Sequence, residues 1–216
     1  MKNLRRNYSE EDFNQIPITH IAATLSKVMD IAPPPLCEGR IESLEDYIIN
    51  KTTFGKAERV LIYNPDAIGQ WIYEKYKEKF SKVLDYAPFV QPMKSVIPPK
   101  TPVCFASMYS GASPETHGIQ RYTKPVLTIP TLFDALIMAG RKPCIVSVAN
   151  QSMDRIFRGR EMDYYSLPDD NGVIDKSIEL IQKNQYDLIC VYNQEYDDKM
   201  HRSYPESKGA LRAIEH

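Results

Sequence analysis

The chain lacks any long apolar run. No stretch approaches the roughly 20 residues needed to span a bilayer, so a membrane-spanning helix is not expected. The start, residues 1–11, carries Lys2, Arg5 and Arg6 with no apolar run behind them, so it reads as neither signal peptide nor anchor. Charge of one sign is not in excess: 27 basic and 28 acidic side chains leave a formal net charge of −1. The basic field of a nucleic-acid-binding domain is therefore missing, and no nucleic-acid or membrane partner is expected. Cysteine is sparse. Cys37, Cys104, Cys144 and Cys190 form no C-x-x-C pair and lie far apart, which excludes a zinc-ribbon or disulfide framework and fits a reduced, cytoplasmic setting. Neither G-x-G-x-x-G nor a P-loop occurs, which speaks against a doubly wound nucleotide-binding protein of that kind.

What is present is an ordinary globular composition, 43% apolar and 25% charged over 216 residues, enough for one sizeable core. Residues 1–55 read as a helical extension before an α/β domain over 56–216. Apolar spacing predicts a helix over 21–31, stopped by Pro33, Pro34 and Pro35. A second helix is expected from Ser43, with S-L-E-D as a capping box, to about Thr53. The R-V-L-I-Y run at 59–63 predicts a buried strand, and a helix is expected over 67–84. A short strand is expected near 89–96. Helices are expected over 103–109, 131–139 and 175–184, a strand over 144–149, and a last helix from Pro205. The continuous apolar run Y-D-L-I-C-V-Y at 186–192 predicts a strand covered on both faces. Strands alternating with helices at crossover length predict a mostly parallel sheet flanked by helices. Ligands of such sheets bind beyond the carboxyl ends of the strands.

Candidate residues therefore follow the strands. Asp66 comes after the first strong strand; it could cap the next helix or carry chemistry. Asp197 and His201, after the last strand, are four apart, which brings both to one face of a helix or one side of a tight loop. Carboxylate with imidazole suits zinc, manganese or iron. Thr101 reads as an N-cap or as a hydroxyl that a metal could activate. Cys104 is a rival nucleophile, but an apolar neighbourhood keeps a thiol protonated. His117, in a turn before Gly118, suits a structural hydrogen bond.

Taken together these segments resemble the alkaline phosphatase superfamily, in its type I phosphodiesterase and nucleotide pyrophosphatase branch. The likeness runs from about Arg59 onward. Asp66 follows V-L-I-Y-N-P. Ser110-Gly111-Ala-Ser-Pro114-Glu-Thr-His117-Gly118-Ile119 matches T-G-x-x-P-x-x-H-G-I, and Thr101 lies ten residues ahead of Gly111. Asp197, His201 and Pro205 match D-x-x-x-H followed by proline. The resemblance implies two divalent ions, zinc as a rule with manganese as the alternative. Asp66 and Thr101 would serve one ion, Asp197 and His201 the other. Thr101 would attack the phosphorus of a small phosphate ester or nucleotide.

Departures from the family pattern are equally plain. The family's T-F-P-N is T-P-V-C at 101–104, and its glycine before the last proline is Tyr204. The sulfatase pattern C-x-P-x-R is missing. The family's remaining ligands, an Asp-His pair and a final histidine, have no counterpart, because no D-H dipeptide occurs. The expectation is a truncated form of a longer hydrolase; the alternative is an inactive pseudoenzyme or binding module retaining the fold. Loss of the last segment predicts marginal stability, or homo-oligomers formed through an unpaired edge strand.

Overall fold

The computed structural model describes residues 16–215; the expectations for residues 1–11 lie outside the described residues. In chain order the elements begin with strand β1 (Ile16–Pro17) and helices α1 (His20–Val28) and α2 (Glu42–Lys51). Strand β2 (Val60–Pro65), helix α3 (Gln70–Lys75), a 3-10 turn (Lys77–Phe80), helix α4 (Ser81–Tyr86) and strand β3 (Met93–Lys94) follow. Next come helices α5 (Thr101–Ser110), α6 (Pro114–His117) and α7 (Leu132–Met138), strand β4 (Pro143–Val148), helix α8 (Ser152–Ile156) and strand β5 (Asp163–Leu167). The chain closes with α9 (Asp170–Lys183), β6 (Leu188–Asn193), α10 (Glu195–Arg202) and α11 (Lys208–Glu215).

The α/β architecture is as the sequence pattern requires: β2, β6, β4 and β5 form a parallel sheet in that order, and β1 pairs with β3 apart from it. Strands β4 and β6 are central, and every one of their residues is buried, which accounts for sequences that are apolar but for Ser147 and Asn193. On one face α1, α5, α7 and α8 contribute Val28, Tyr109, Phe133 and Ile156 to the main core. Tyr109 stacks on Phe133 with centroids 5.0 Å apart, and Phe157 meets both edge-on. Such pairs add about 0.5–1.5 kcal/mol each beyond burial. On the other face α9 lays Val173 and Leu180 over Cys144, Val146, Ile189 and Val191.

That second face is incompletely roofed. Lys176 of α9 lies over the Tyr165 ring of β5, 5.5 Å from its centroid, so the opposite flank of the helix looks toward β2. Ile178 and Ile181 on that flank are exposed, as are Leu61 and Tyr63, which share the sheet face of Ile189 and Val191. Strand β2 is a sheet edge. No helix among the described residues is long and apolar enough to cross a membrane.

Several local expectations need correction. Ser43 does not cap α2: the helix begins at Glu42 after Ile41, with no side-chain cap, and Glu45 is buried against Arg40 instead. The capping box belongs to α7, where Thr131 and Asp134 satisfy each other's backbone amides. The single helix expected over 67–84 is broken into α3, a 3-10 turn and α4, because Tyr76 leaves the helical region. The last helix starts at Lys208, not Pro205. Helix α9 starts earlier than its apolar pattern indicates, because the Asp169 carboxylate accepts from the Gly172 amide at 2.9 Å.

Candidate active site

Asp66 sits where β2 ends. Its amide donates to the Asn193 carbonyl at 2.9 Å, which pins it beside the end of β6. Ala67 then turns the chain sharply with φ of +61°, and α3 begins only at Gln70 behind Gly69. Asp66 therefore caps no helix. Its Oδ1 accepts from the Ala67 amide at 2.9 Å, and its Oδ2 accepts from Thr101 Oγ1 at 3.2 Å and from the Tyr192 hydroxyl at 2.6 Å. Burial pushes this carboxyl above the usual range; the three hydrogen bonds and the nearby His201 pull the other way.

Thr101 is not an N-cap either. Lys100 occupies that position, Thr101 opens α5, and Pro102 stands in the first turn, where its missing amide costs nothing. The threonine hydroxyl is thus free to point at Asp66, from the positive end of a ten-residue helix. The helix ends at Gly111, whose φ of +73° and whose approach to Cys37 exclude a side chain: an added Cβ would lie 2.3 Å from Cys37 Sγ. Cys104, one turn along, has its thiol pushed up by burial first and by the Asp66 charge among lesser causes, so it stays protonated.

Asp197 and His201 share one face of α10, with Asp197 Oδ1 3.3 Å from His201 Nε2. The helix is anchored from its start. Asp170 takes the Gln194 and Glu195 amides at 3.0 and 2.8 Å, and Tyr196 is buried beneath it. Burial raises the Asp197 carboxyl above its ordinary value, the Asp66 charge raises it further, and His201 opposes both. The two pairs expected from sequence are therefore electrostatic neighbours across the carboxyl end of the sheet. His201 remains open, its side chain 73% exposed.

Two tyrosines of this site escaped the sequence reading. Tyr192 was legible only as the end of an apolar strand, yet its hydroxyl holds Asp66. Tyr122 comes from the irregular segment after Gly118. Burial raises its phenol first, and the charges of Asp197, Asp66 and Asp198 raise it further. Lys124 lies 5.5 Å from the Tyr122 ring and donates to the Asn150 carbonyl and Gln151 Oε1, just past β4. His117 has the structural role that its turn position suggested. Its Nδ1 accepts from the Ile119 amide at 3.1 Å, so Nε2 carries the hydrogen and donates to Ser107 Oγ at 2.9 Å. Burial lowers its pKa and keeps it neutral.

The donors fit a divalent cation in type and charge. Asp66 and Asp197 are half-buried carboxylates, both held above the ordinary range by burial and Asp197 further by the Asp66 charge; a hydroxyl stands on Asp66 and an imidazole on Asp197. In number they are few: among the described residues no three His, Cys, Asp or Glu side chains gather into a metal site. A cavity of about 350 Å³ near Arg59, Arg141 and Asp187 lies at the other, amino end of the sheet. Its cations are already engaged, Arg59 with the Tyr186 carbonyl and Arg141 with Asp187, so it offers no comparable chemistry. No protein-family model matches the chain, and no curated protein matches it either.

Proposed function

We propose that this chain carries the catalytic half-site of a metal-dependent phosphoric ester hydrolase of the alkaline phosphatase type, acting on a small phosphate ester or nucleotide. The observation that supports this most is the Thr101 hydroxyl, which opens α5 and rests on Asp66 Oδ2 at 3.2 Å, beyond the carboxyl end of a parallel sheet. Asp66 and Thr101 would hold one ion, and Asp197 with His201 the other. When bound, such an ion lowers the cost of negative charge on phosphoryl oxygens and on an ionising hydroxyl. The protein's own part is orientation. Asp66 fixes the Thr101 hydroxyl, and the start of α5 favours an anion beside it. Thr101 Oγ1 would lose its proton to solvent as it bonds to phosphorus and the ester P–O bond breaks, the leaving oxygen departing as the alcohol or phenolate; water would then cleave the phosphothreonine, releasing phosphate and restoring the hydroxyl.

Acid quenching during turnover of bis-p-nitrophenyl phosphate, followed by peptide mass spectrometry, tests this. A phosphoryl group on Thr101 is expected, and a folded, metal-loaded protein that turns over substrate without it would sink the nucleophile assignment. A second reading, a non-catalytic module that binds a phosphorylated ligand, is favoured by the openness of His201 and by the supply of only two protein ligands per ion; catalytic zinc commonly has about three. Phosphate-ester binding without turnover would select it.

A further inference from the structure

We propose that the β2 edge is an interface whose occupant is a second copy of this chain, paired antiparallel through Leu61 and Tyr63 about a two-fold axis at Ile62. The proposal is independent of the hydrolase reading. Val60 donates to the Asp187 carbonyl at 2.8 Å and Asp66 to the Asn193 carbonyl at 2.9 Å, with β2 and β6 in parallel register between them. Backbone groups alternate in direction along a strand, so Val60, Ile62 and Asn64 turn theirs toward β6. Leu61 and Tyr63 turn theirs away, and neither amide has a backbone partner among the described residues. Pro65 has no amide to offer, and the turn at Ala67 carries the chain off the edge. The open ladder is therefore confined to Leu61 and Tyr63.

Such a ladder is self-complementary. In an antiparallel sheet, the residues of a hydrogen-bonded pair exchange both bonds. With the axis at Ile62, Leu61 of each copy meets Tyr63 of the other, and the two pairs use every open group on both edges. An axis of this kind stands perpendicular to the sheet and keeps α9 on the same face in both copies. Leu61 and Tyr63 are 52% and 51% exposed on that face, and Ile178 and Ile181 on the facing flank of α9 are 50% and 41% exposed. Each copy thus offers on the order of 300 Å² of apolar side chain beside the ladder. A standard interface takes roughly 800 Å² from each partner, so the pair is weak and forms in the micromolar range. Charge does not oppose it. Strand β2 carries no charged side chain, so it lacks the lysines that commonly block edge pairing, and the formal net charge of the chain is only −1.

Amide exchange across a dilution series, read by mass spectrometry with residue-resolving fragmentation, tests the proposal on the backbone itself. For a dissociation constant on the order of 10 µM, the Leu61 and Tyr63 amides should exchange roughly fivefold more slowly at about 100 µM than at about 1 µM. Ile62 and Asn64 should stay protected throughout, and sedimentation equilibrium should show a dimer that dissociates on dilution. Ile178→Lys leaves the ladder intact; it should weaken the dimer roughly tenfold, with the thermal midpoint of the dilute protein close to wild type because the residue is half exposed. A chain that stays monomeric at the highest concentration would overturn the proposal. So would a dimer whose Leu61 and Tyr63 amides exchange as fast as in the monomer. Protection of those amides only on addition of an unrelated extended peptide would assign the edge to a foreign strand and overturn the second copy as its occupant.

Discussion

Asp197→Asn should stabilise the metal-free protein and weaken its response to metal. Asp197 stands 25% exposed on α10, its carboxyl raised by burial and by Asp66, with His201 as the opposing charge. Two like charges at a partly solvated site cost about 1 kcal/mol after screening. Removing one should raise the midpoint of thermal unfolding by roughly 2–4 °C in a chain of this size. The folded-state values of Asp66 and Asp197 lie above their unfolded values, so the cost is present at neutral pH and vanishes as pH falls through the raised values toward about 4. The gap between variant and wild type should therefore close on acidification. Zinc at about 100 times its dissociation constant adds about 2.7 kcal/mol to the wild type, or roughly 5–10 °C. The variant should gain much less, so the ranking reverses. Thermal scans at neutral and acid pH, with and without zinc, read all of this. A destabilised metal-free variant, or equal zinc shifts in the two proteins, would refute the reasoning.

Two further outcomes follow from particular contacts. Arg160, with a side chain 7% exposed, donates to the Leu127, Ile129 and Phe157 carbonyls, each at 3.1 Å, and to Asp134. Arg160→Met should cost about 3 kcal/mol and lower the thermal midpoint by roughly 6–12 °C, with weaker substrate binding as the segment carrying Tyr122 loosens; calorimetry and KM check it, and a drop under about 2 °C would contradict it. Leu61→Lys should suppress self-association through the open β2 edge while leaving thermal stability nearly unchanged, because Leu61 is 52% exposed; sedimentation velocity at several concentrations reads the difference.

The sheet was legible where one periodicity ruled. The runs over β4 and β6 announce buried parallel strands; the run over β2 announces a parallel strand but not a buried one, because β2 is a sheet edge with Leu61 and Tyr63 exposed, and the helices with one clean apolar stripe follow from spacing. Strand β5 was missed because D-Y-Y-S-L lies on a sheet edge and alternates without an apolar run. The start of α9 was missed because Asn171 and Gly172 read as breakers, whereas a carboxylate cap overrides that preference. Asp66, Thr101, Asp197 and His201 could be marked from their places after strands and from motif spacing. Tyr192 and Tyr122 could not. What ties them to the site is a hydrogen bond spanning 126 residues for Tyr192 and, for Tyr122, the nearby charges of Asp197 and Asp66. No local pattern encodes either.

Metal content by elemental analysis, with bis-p-nitrophenyl phosphate turnover measured on the same sample, tests the central claim most directly. Near-stoichiometric zinc or manganese is expected, with turnover that falls by on the order of a thousandfold or more in Thr101→Ala. A folded protein that holds no metal and turns over no ester, or one whose turnover survives the loss of the Thr101 hydroxyl, would contradict it.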